Sequence, residues 1–276
     1  MPIALITGAN AGIGFATAQA LAQQGFELIL CCRNPQKAAE AEQKLLQQFP
    51  KAQIESLICD LADLQSVKNT CSAFAQTRPH LDVLVNNAGF YPDKQEFSSE
   101  GIELTFLASH LGHFVLTQCL LPLLEKAQDP RIVNVSSEAH RFGDANRFFT
   151  RHNASSMQTY GDAKLANILF TMGFRQQYPQ TKIRAYSLHP GMVITNFVDK
   201  APKWLKFLSV LARPFMIHSD KGASTSVYLA NTPTSKIPDS VYFEKSKPQK
   251  IHNSTATAAA AQTLWEKSQQ IYAQLA

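Results

Sequence analysis

The sequence lacks the features that would direct the chain into or across a membrane. Its first residues lead at once into an apolar strand at Ile3, with no basic segment and no cleavage site, so we expect no signal peptide. The longest apolar region, 102–124, is interrupted by a glutamate, two histidines and a glutamine. This region therefore predicts a core helix and not a membrane span.

Charge is also scarce. Charged residues make up 17% of the chain, and the net charge of +5 is not gathered into any basic block. So diffuse a charge argues against nucleic-acid binding and is compatible with an anionic cofactor. Hydrophobic residues make up 45%, which suits a well-buried soluble globule, and we predict a single domain over residues 1–276.

The chain has no Cys-x-x-Cys spacing, and its cysteines are odd in number. The five are Cys31, Cys32, Cys59, Cys71 and Cys119, and all lie in apolar runs. This pattern predicts reduced, buried thiols in a reducing compartment. Without a signal peptide, we expect a cytoplasmic protein.

Candidate metal ligands are equally few. His110 and His113 stand three residues apart, a spacing at which a metal pair is conceivable. No carboxylate or cysteine is placed to complete such a site. We expect structural histidines and no metal.

Short apolar runs alternate with helical patterns along most of the chain. We predict strands at 3–7, 26–32, 54–59, 81–85, 131–137, 182–189 and 241–243. This alternation predicts a doubly wound α/β fold with a mostly parallel sheet covered on both faces. Ligands of such sheets bind at the carboxyl ends of the strands.

Three glycines stand between the first strand and the first helix. Gly8, Gly12 and Gly14 have the spacing Gly-x-x-x-Gly-x-Gly in a βαβ context. Glycines there let the backbone approach phosphates, while the helix N-terminus offers free N–H groups. The pattern predicts a dinucleotide site; the alternative is a tight turn without a ligand.

Arg33 directly follows the second strand, Lys37 comes one helical turn later, and no acidic residue stands at that point. An acidic side chain there would bind an adenosine ribose, whereas a guanidinium suits a 2′-phosphate. We therefore predict NADP(H) rather than NAD(H). The alternative is a solvent-exposed arginine.

A phenol and an ammonium stand one helical turn apart at Tyr160 and Lys164. A positive charge beside a tyrosine favours the phenolate, so the pair could move a proton near neutral pH. Taken alone this is weak, because a surface tyrosine packed on a lysine stem has the same spacing.

Four motifs together resemble the short-chain dehydrogenase/reductase family, and the resemblance covers nearly the whole chain. They are Thr7-Gly8-x-x-x-Gly12-x-Gly14, Asn86-Asn87-Ala88-Gly89, Ser137 and Tyr160-x-x-x-Lys164. The segments 111–114 and 164–170 further resemble the retinol dehydrogenase branch. The resemblance implies a Rossmann domain with seven strands in the order 3-2-1-4-5-6-7.

The resemblance also implies reversible hydride transfer at a Ser-Tyr-Lys site. Ser137 would bind the substrate oxygen, with Ser136 as the reserve, and Tyr160 would supply the proton. Lys164 would lower the pKa of Tyr160 and hold the nicotinamide ribose. The resemblance further implies an asparagine at the position where this chain has Ser109. In the family, the main-chain carbonyl of that asparagine holds a water linked to the lysine. Serine retains a main-chain carbonyl, so the same water could bind there.

The implied cofactor contacts lie at turns on the carboxyl edge of the sheet. They are Thr7, Gly8, Asn10, Gly12, Ile13, Gly14, Arg33, Lys37, Asp60, Leu61, Asn86, Asn87, Ala88, Gly89, Tyr160, Lys164, Pro190, Gly191, Val193 and Thr195. Among these, Asp60 would bind the adenine and Asn86 the adenosine side. The Val193 backbone and Thr195 would hold the carboxamide.

The substrate side is less specific. The apolar stretch 196–220 fits core packing, a membrane-surface contact or a lid over a hydrophobic substrate, and the family implies a lid. Residues 138–159 form either a loop near the cleft or a surface excursion. We expect a small hydrophobic carbonyl or alcohol as substrate, and a homo-dimer or homo-tetramer is compatible with the helices around Ser109 and Tyr160. The alternative function is a nucleotide-binding sensor or scaffold without turnover.

Overall fold

The computed structural model describes residues 1–191 and 219–275. Within them, short apolar runs form the strands β1 (Ile3–Thr7), β2 (Glu27–Cys32), β3 (Ile54–Ile58), β4 (Val83–Asn86), β5 (Arg131–Val135), β6 (Arg184–His189), β7 (Tyr242–Glu244) and β8 (Lys247–Pro248). They make one sheet in the order β3-β2-β1-β4-β5-β6-β7-β8. Every neighbouring pair is parallel except β7 with β8.

The helices of the same residues are α1 (Gly12–Gln23), α2 (Pro35–Gln48), α3 (Leu64–Ala75), α4 (Leu104–Leu124), α5 (Ser156–Gln177), α6 (Ser219–Asn231) and α7 (Ala258–Gln274). Five of them begin at side-chain caps, and Glu103 caps α4 and Thr257 caps α7. The Asn34 side chain accepts from Lys37 N at the start of α2, and Asp63 caps α3. Ser155 and Gln158 form a capping box at the start of α5.

Helices cover both faces of the sheet. On one face, α1, α2 and α6 bury residues such as Leu21, Leu45 and Leu229. On the other face, α3, α4, α5 and α7 surround Phe114 and Trp265, whose rings lie 5.0 Å apart. The predicted doubly wound α/β fold is therefore confirmed.

The predicted count of seven strands was wrong, because β8 adds an eighth among the described residues. Its two residues are exposed, and they pair antiparallel with β7 through a tight turn at Lys245 and Ser246. Both turn residues have positive φ, 49° and 60°, without the glycine or asparagine that usually marks such a hairpin. A two-residue strand also has no hydrophobic period by which the sequence could reveal it.

Helix α4 is long and apolar enough to cross a membrane by length and composition, but 72% of its most apolar window is buried inside the protein. A buried helix of this kind is what the sequence predicted. The helix starts at Leu104, later than the predicted Ser99, because Phe97 and Glu103 form an isolated antiparallel bridge before it. Its segment Leu107–Leu111 is π-helical.

The segment after β5 is structured. It contains the 3-10 helices Glu138–Phe142 and Ala145–Arg147, and α5 follows from Ser156. The predicted lid at 196–220, together with Val193 and Thr195, lies outside the described residues, apart from the first two residues of α6.

Candidate active site

The glycine turn between β1 and α1 requires glycine at Gly8 for its conformation and at Gly14 for its close contacts. Gly8 has a φ of +65°, a region that L side chains rarely adopt. A Cβ on Gly14 would lie 2.5 Å from both the Gly8 carbonyl oxygen and Asn87 Nδ2. The turn therefore leaves bare backbone where a phosphate would approach.

The N-terminus of α1 is open, in contrast to the capped helices. Its N-cap, Ala11, is extended and offers no side-chain hydrogen bond. The first α-helical backbone bond runs from Phe15 N to Ala11 O at 3.2 Å, so the N–H groups of Gly12, Ile13 and Gly14 have no partner within the helix. Unpaired N–H groups and a positive dipole end make an anion site, so these residues fit a dinucleotide pyrophosphate.

A buried hydroxyl ties this turn to the end of β4. Thr7 Oγ1 accepts hydrogen bonds from Asn87 N and Ala88 N, both at 2.9 Å. The Asn87 side chain donates back to Thr7 O at 2.8 Å. These bonds hold the glycine motif that begins at Thr7 and the motif at 86–89 together, and Asn10 lies half-buried in the glycine turn.

His113 completes this network, and the sequence had indicated only that it was structural. Its Nδ1 donates to Ser109 O at 2.8 Å, so its Nε2 is the acceptor for the Thr7 hydroxyl, also at 2.8 Å. Burial lowers the pKa of His113 to about 4, which keeps the ring neutral. His110 has a different partner, Ser268, at 3.1 Å. The two rings thus serve separate contacts.

The adenosine end of the edge carries the predicted basic residues. Arg33 and Lys37 are both exposed just beyond β2. Asp60 uses one carboxylate oxygen to accept from Ala62 N at 3.0 Å, which shapes its own turn. Leu61 is buried, and its carbonyl would lie 2.2 Å from a Cβ on Gly112, so α4 packs directly on this turn.

Asn86 was predicted to face the adenosine, and its side chain instead lies in the core. Its Nδ2 donates to Asn134 Oδ1 at 2.8 Å and to Thr117 Oγ1 at 3.3 Å. The residue is 1% exposed. The side chain therefore fastens β4 to β5 and α4, and only its backbone stands at the sheet edge.

The two serines after β5 have different partners. Ser136 Oγ donates to the Lys164 carbonyl at 2.7 Å, so its hydroxyl is used inside the core. Ser137 Oγ accepts from Ala139 N at 3.2 Å and hydrogen-bonds the Tyr160 hydroxyl. The structure thus brings Ser137, and not the reserve Ser136, to the phenol.

Tyr160 and Lys164 lie together on the buried face of α5. Lys164 Nζ is 5.6 Å from the centroid of the Tyr160 ring and donates to Val135 O at 3.1 Å. Burial lowers the pKa of Lys164 to about 8, and the side chain is still charged at neutral pH. The site therefore holds a hydroxyl, a phenol and an ammonium in one buried cluster.

We predicted that Lys164 lowers the pKa of Tyr160, but in this structure the pKa of Tyr160 is raised. Burial raises the pKa of the Tyr160 hydroxyl above its ordinary value, and only the Ser137 hydrogen bond opposes that rise. Desolvation disfavours the phenolate more strongly than the Ser137 hydrogen bond favours it, and the Lys164 ammonium adds no resolved lowering of this pKa. Near neutral pH the phenol is therefore protonated and suited to donate a proton.

Ser109 lies in the π-helical segment of α4 and is fully buried. Its carbonyl, predicted to be open for a water, already accepts from His113. Its Oγ has no partner among the described residues. A Cβ on Gly89 would lie 3.0 Å from Lys164 Nζ and 3.3 Å from Ser109 Oγ, so both groups border the same glycine.

Pro190 and Gly191 follow β6 and are half-buried. Gly191 has a φ of 86°, so the turn that follows the strand depends on glycine.

Sequence reasoning missed the apolar shell around the phenol. Tyr91, Ala139 and Tyr160 form a buried cluster, and Met157 packs against it. The rings of Tyr91 and Tyr160 are 5.6 Å apart. The only sequence signal was the position of Tyr91, two residues past Gly89 at the carboxyl end of β4.

A doubly wound sheet, an uncapped helix after a glycine turn and a serine-tyrosine-lysine cluster define a Rossmann-type oxidoreductase. The protein-family model described as short chain dehydrogenase matches residues 2–206 of this chain. This chain belongs to the short-chain dehydrogenase/reductase family, and its relatives put it in the retinol dehydrogenase-like branch.

Among those relatives, human retinol dehydrogenase 14 is 35% identical over 283 residues, which cover 96% of this chain and 84% of the relative. The human WW domain-containing oxidoreductase is 33% identical over 279 residues, covering 98% of this chain and 67% of the relative. The crystal structure of an uncharacterized protein from Mycobacterium Paratuberculosis superposes with a TM-score of 0.77 at 31% identity. It covers 99% of this chain and 94% of the other.

Proposed function

We propose that this protein catalyses reversible hydride transfer between NADP(H) and the carbonyl or alcohol group of a hydrophobic small molecule. The observation that carries the proposal is the cluster of Ser137, Tyr160 and Lys164 at the carboxyl edge of the sheet. It lies on the same edge as the open N-terminus of α1. NADP(H), when bound, would supply or accept the hydride.

In the reduction direction, Ser137 and Tyr160 act on the substrate oxygen. Because Ser137 Oγ accepts from Ala139 N, its own hydrogen is left to donate. The buried Tyr160 phenol is protonated near neutral pH and gives its proton to that oxygen. In the oxidation direction the phenol must first lose a proton, so we expect oxidation to need a higher pH.

Lys164 holds a positive charge beside the phenol without an acidic partner among the described residues. Its Nζ uses one donor on Val135 O. The remaining donors would hold the nicotinamide ribose. Since Lys164 Nζ and Ser109 Oγ both border Gly89, a side chain at that position would press on both groups.

The preference for NADP(H) rests on the end of β2. Arg33 and Lys37 are exposed there, and no carboxylate stands in the same turn to bind a ribose 2′-hydroxyl. A guanidinium makes charge-assisted bonds to a phosphate. The cofactor's 2′-phosphate is therefore the group that this turn suits.

A hydrophobic substrate is supported by the surroundings of the phenol. Tyr91, Ala139 and Met157 pack against Tyr160, and Phe90 and Phe142 are exposed in the segments that carry this shell. The relatives named retinol dehydrogenase agree with an apolar alcohol or carbonyl. We propose the chemical class, and not one compound.

We also propose that the protein acts in the cytoplasm. All five cysteines are free, four of them are buried, and a reducing compartment keeps thiols in that state. Fractionation that placed the protein in an oxidising compartment would contradict this.

A second candidate, a nucleotide-binding sensor with little or no turnover, is favoured by Ser109. Its carbonyl is already bound by His113, so a water there would have to share that oxygen. The variant Tyr160→Phe separates the two functions. An enzyme loses about 10²-fold or more in turnover and retains nucleotide binding. A sensor shows no turnover to lose.

The test is a fluorescence titration with NADPH and NADH, followed by a panel of apolar aldehydes and ketones and a set of small polar carbonyls. We expect tighter binding of NADPH, and its oxidation only with apolar carbonyls. Reaction confined to small polar carbonyls would overturn the substrate class, and tighter binding of NADH would overturn the cofactor assignment.

A further inference from the structure

The hydroxyl of Ser137 is positioned by the turn that follows it. Ser137 is the extended N-cap of the 3-10 helix Glu138–Phe142, and its carbonyl accepts from His140 N at 3.0 Å. The His140 ring adds a bond from Nδ1 to the same carbonyl at 2.8 Å. A carbonyl cannot donate, so the ring hydrogen is on Nδ1. The orientation of Ser137 thus depends on where this turn lies.

The turn is pressed against α5 right beside Tyr160. A Cβ on Gly161 would lie 2.7 Å from Ala139 O and 2.8 Å from Gly143 N. A Cβ on Gly143 would lie 2.5 Å from Gly161 O. Backbone therefore meets backbone at this point, and a small shift of the turn changes the distance from Ser137 to Tyr160.

One residue from the far end of the chain fastens the middle and the C-terminal end of this turn. Asn253 Nδ2 donates to His140 O and to Gly143 O, both at 2.8 Å. Its Oδ1 accepts from Thr255 N at 2.8 Å and from Thr255 Oγ1 at 2.7 Å, which fixes the orientation of the amide. Thr255 Oγ1 in turn accepts from Ala145 N at 3.1 Å.

We propose that Asn253 is a positioning residue for the reaction, because its carboxamide holds the turn that sets Ser137 against Tyr160. It touches neither reacting group. The inference rests on the proposed function, since it assigns Asn253 to the geometry of that same site. The segment 253–257 is thereby more than a connection into α7.

The test is a double-mutant cycle of Asn253→Ala with Ser137→Ala, measured as kcat for an apolar carbonyl and as the dissociation constant of NADPH. Displacement of a reacting group by about 1 Å can cost 10²-fold in rate. We expect Asn253→Ala to lower kcat about 10- to 100-fold and to change NADPH affinity by less than about twofold. In the Ser137→Ala background the same change should have almost no further effect on kcat, because residues that act through one group are not additive.

Two further variants separate positioning from general damage. Asn253→Asp keeps the size and the acceptor for Thr255 but loses both donors to the turn, and should lower kcat as Asn253→Ala does. Gln262→Ala is the control, since Gln262 is also an amide with two side-chain bonds, to Gln177 and Glu266, but lies on α7 away from the turn. It should leave kcat unchanged.

The outcomes are distinguishable. If Ser137→Ala lowers kcat but Asn253→Ala and Asn253→Asp do not, the positioning role is wrong and the proposed function stands. If the effects of Asn253→Ala and Ser137→Ala multiply, Asn253 is only structural. If the wild-type protein binds NADPH and reduces no carbonyl, both the proposed function and this role are overturned.

Discussion

Replacing Thr7 by valine removes one oxygen from the centre of the cofactor edge and keeps the shape of the side chain. Thr7 is fully buried, and its Oγ1 is the acceptor for Ala88 N and the partner of His113 Nε2. Asn87 N retains an alternative acceptor in Val85 O at 3.0 Å. Thr7→Val therefore leaves two groups without a partner, Ala88 N and His113 Nε2.

A buried polar group without a partner costs about 1–3 kcal/mol. With two such groups, one of them half-buried, we expect Thr7→Val to destabilise the protein by about 2–4 kcal/mol. The control is Thr7→Ser, which keeps the oxygen and loses one methyl, for about 1 kcal/mol. Since the network also fixes Asn87 beside Gly14, the valine variant should bind NADPH more weakly than the serine variant.

The assay is urea unfolding followed by tryptophan fluorescence, with the slopes compared so that only the midpoints are interpreted. The expected order of midpoints is wild type, then Thr7→Ser, then Thr7→Val. If the valine variant is as stable as the serine variant, the hydrogen bonds of the Thr7 hydroxyl do not stabilise the protein, which would contradict the prediction.

Three further predictions concern the cofactor turn and the buried lysine. Arg33→Ala should weaken NADPH binding about 10- to 100-fold and leave NADH binding unchanged, because charge-assisted bonds contribute about 1.5–3 kcal/mol; equal losses for both nucleotides would contradict a 2′-phosphate contact. Gly14→Ala should abolish binding of both nucleotides, since its methyl would lie 2.5 Å from Gly8 O, and unchanged titrations would show that the turn can adapt. Lys164→Met should stabilise the protein by about 1–3 kcal/mol at pH 6–7. The pKa of Lys164 in the folded protein is about 8, below the usual 10.5, so the charged lysine favours the unfolded chain at that pH. That gain should disappear as pH rises from about 8 to 10.5, where the wild-type protein no longer bears the cost of a buried charge; a pH-independent difference in urea midpoints would mean that the lost Val135 bond decides the effect.

The sequence predicted the fold because its strands are apolar on both faces. A buried parallel strand has no polar face, so the central strands appear as short, nearly continuous apolar runs such as 3–7 or 28–32. The boundaries were less accurate where polar residues continue a run. Ser136 and Ser137 were predicted inside β5, and they follow its end because the chain turns into a 3-10 helix there.

Site residues that are one helical turn apart could be predicted from their spacing in the sequence. Contacts between residues far apart in the sequence could not. Tyr160 and Lys164 are joined by helical periodicity alone. The partners of His113 are Thr7, 106 positions away, and Ser109. Only the fold brings Thr7 and His113 together, so their relation has no pattern in the sequence.

The ionisable groups of the site could be predicted from the sequence, but the direction in which the pKa of Tyr160 shifts could not. The sequence places an ammonium beside a phenol, but it does not reveal how deeply both are buried. Tyr160 is 9% exposed and Lys164 3% exposed. That burial raises the pKa of the phenol and lowers that of the lysine, so desolvation decides the direction of the pKa shift of both groups.

Asn253 shows the same limit for a contact that joins distant parts of the chain. In the sequence it begins a polar stretch rich in serine, threonine and alanine, which has no helical or strand period. In the structure its amide meets two carbonyls more than a hundred residues earlier. Hydrogen bonds to main-chain carbonyls leave no trace in side-chain patterns.

The central claim is tested most directly by following NADPH oxidation at neutral pH with an apolar aldehyde, for the wild-type protein and for Tyr160→Phe in parallel. The account predicts that both proteins bind NADPH with similar affinity and that only the wild type oxidises it at a substantial rate. If the variant oxidises NADPH as fast as the wild type, Tyr160 does not donate the proton, and the assigned active site is wrong.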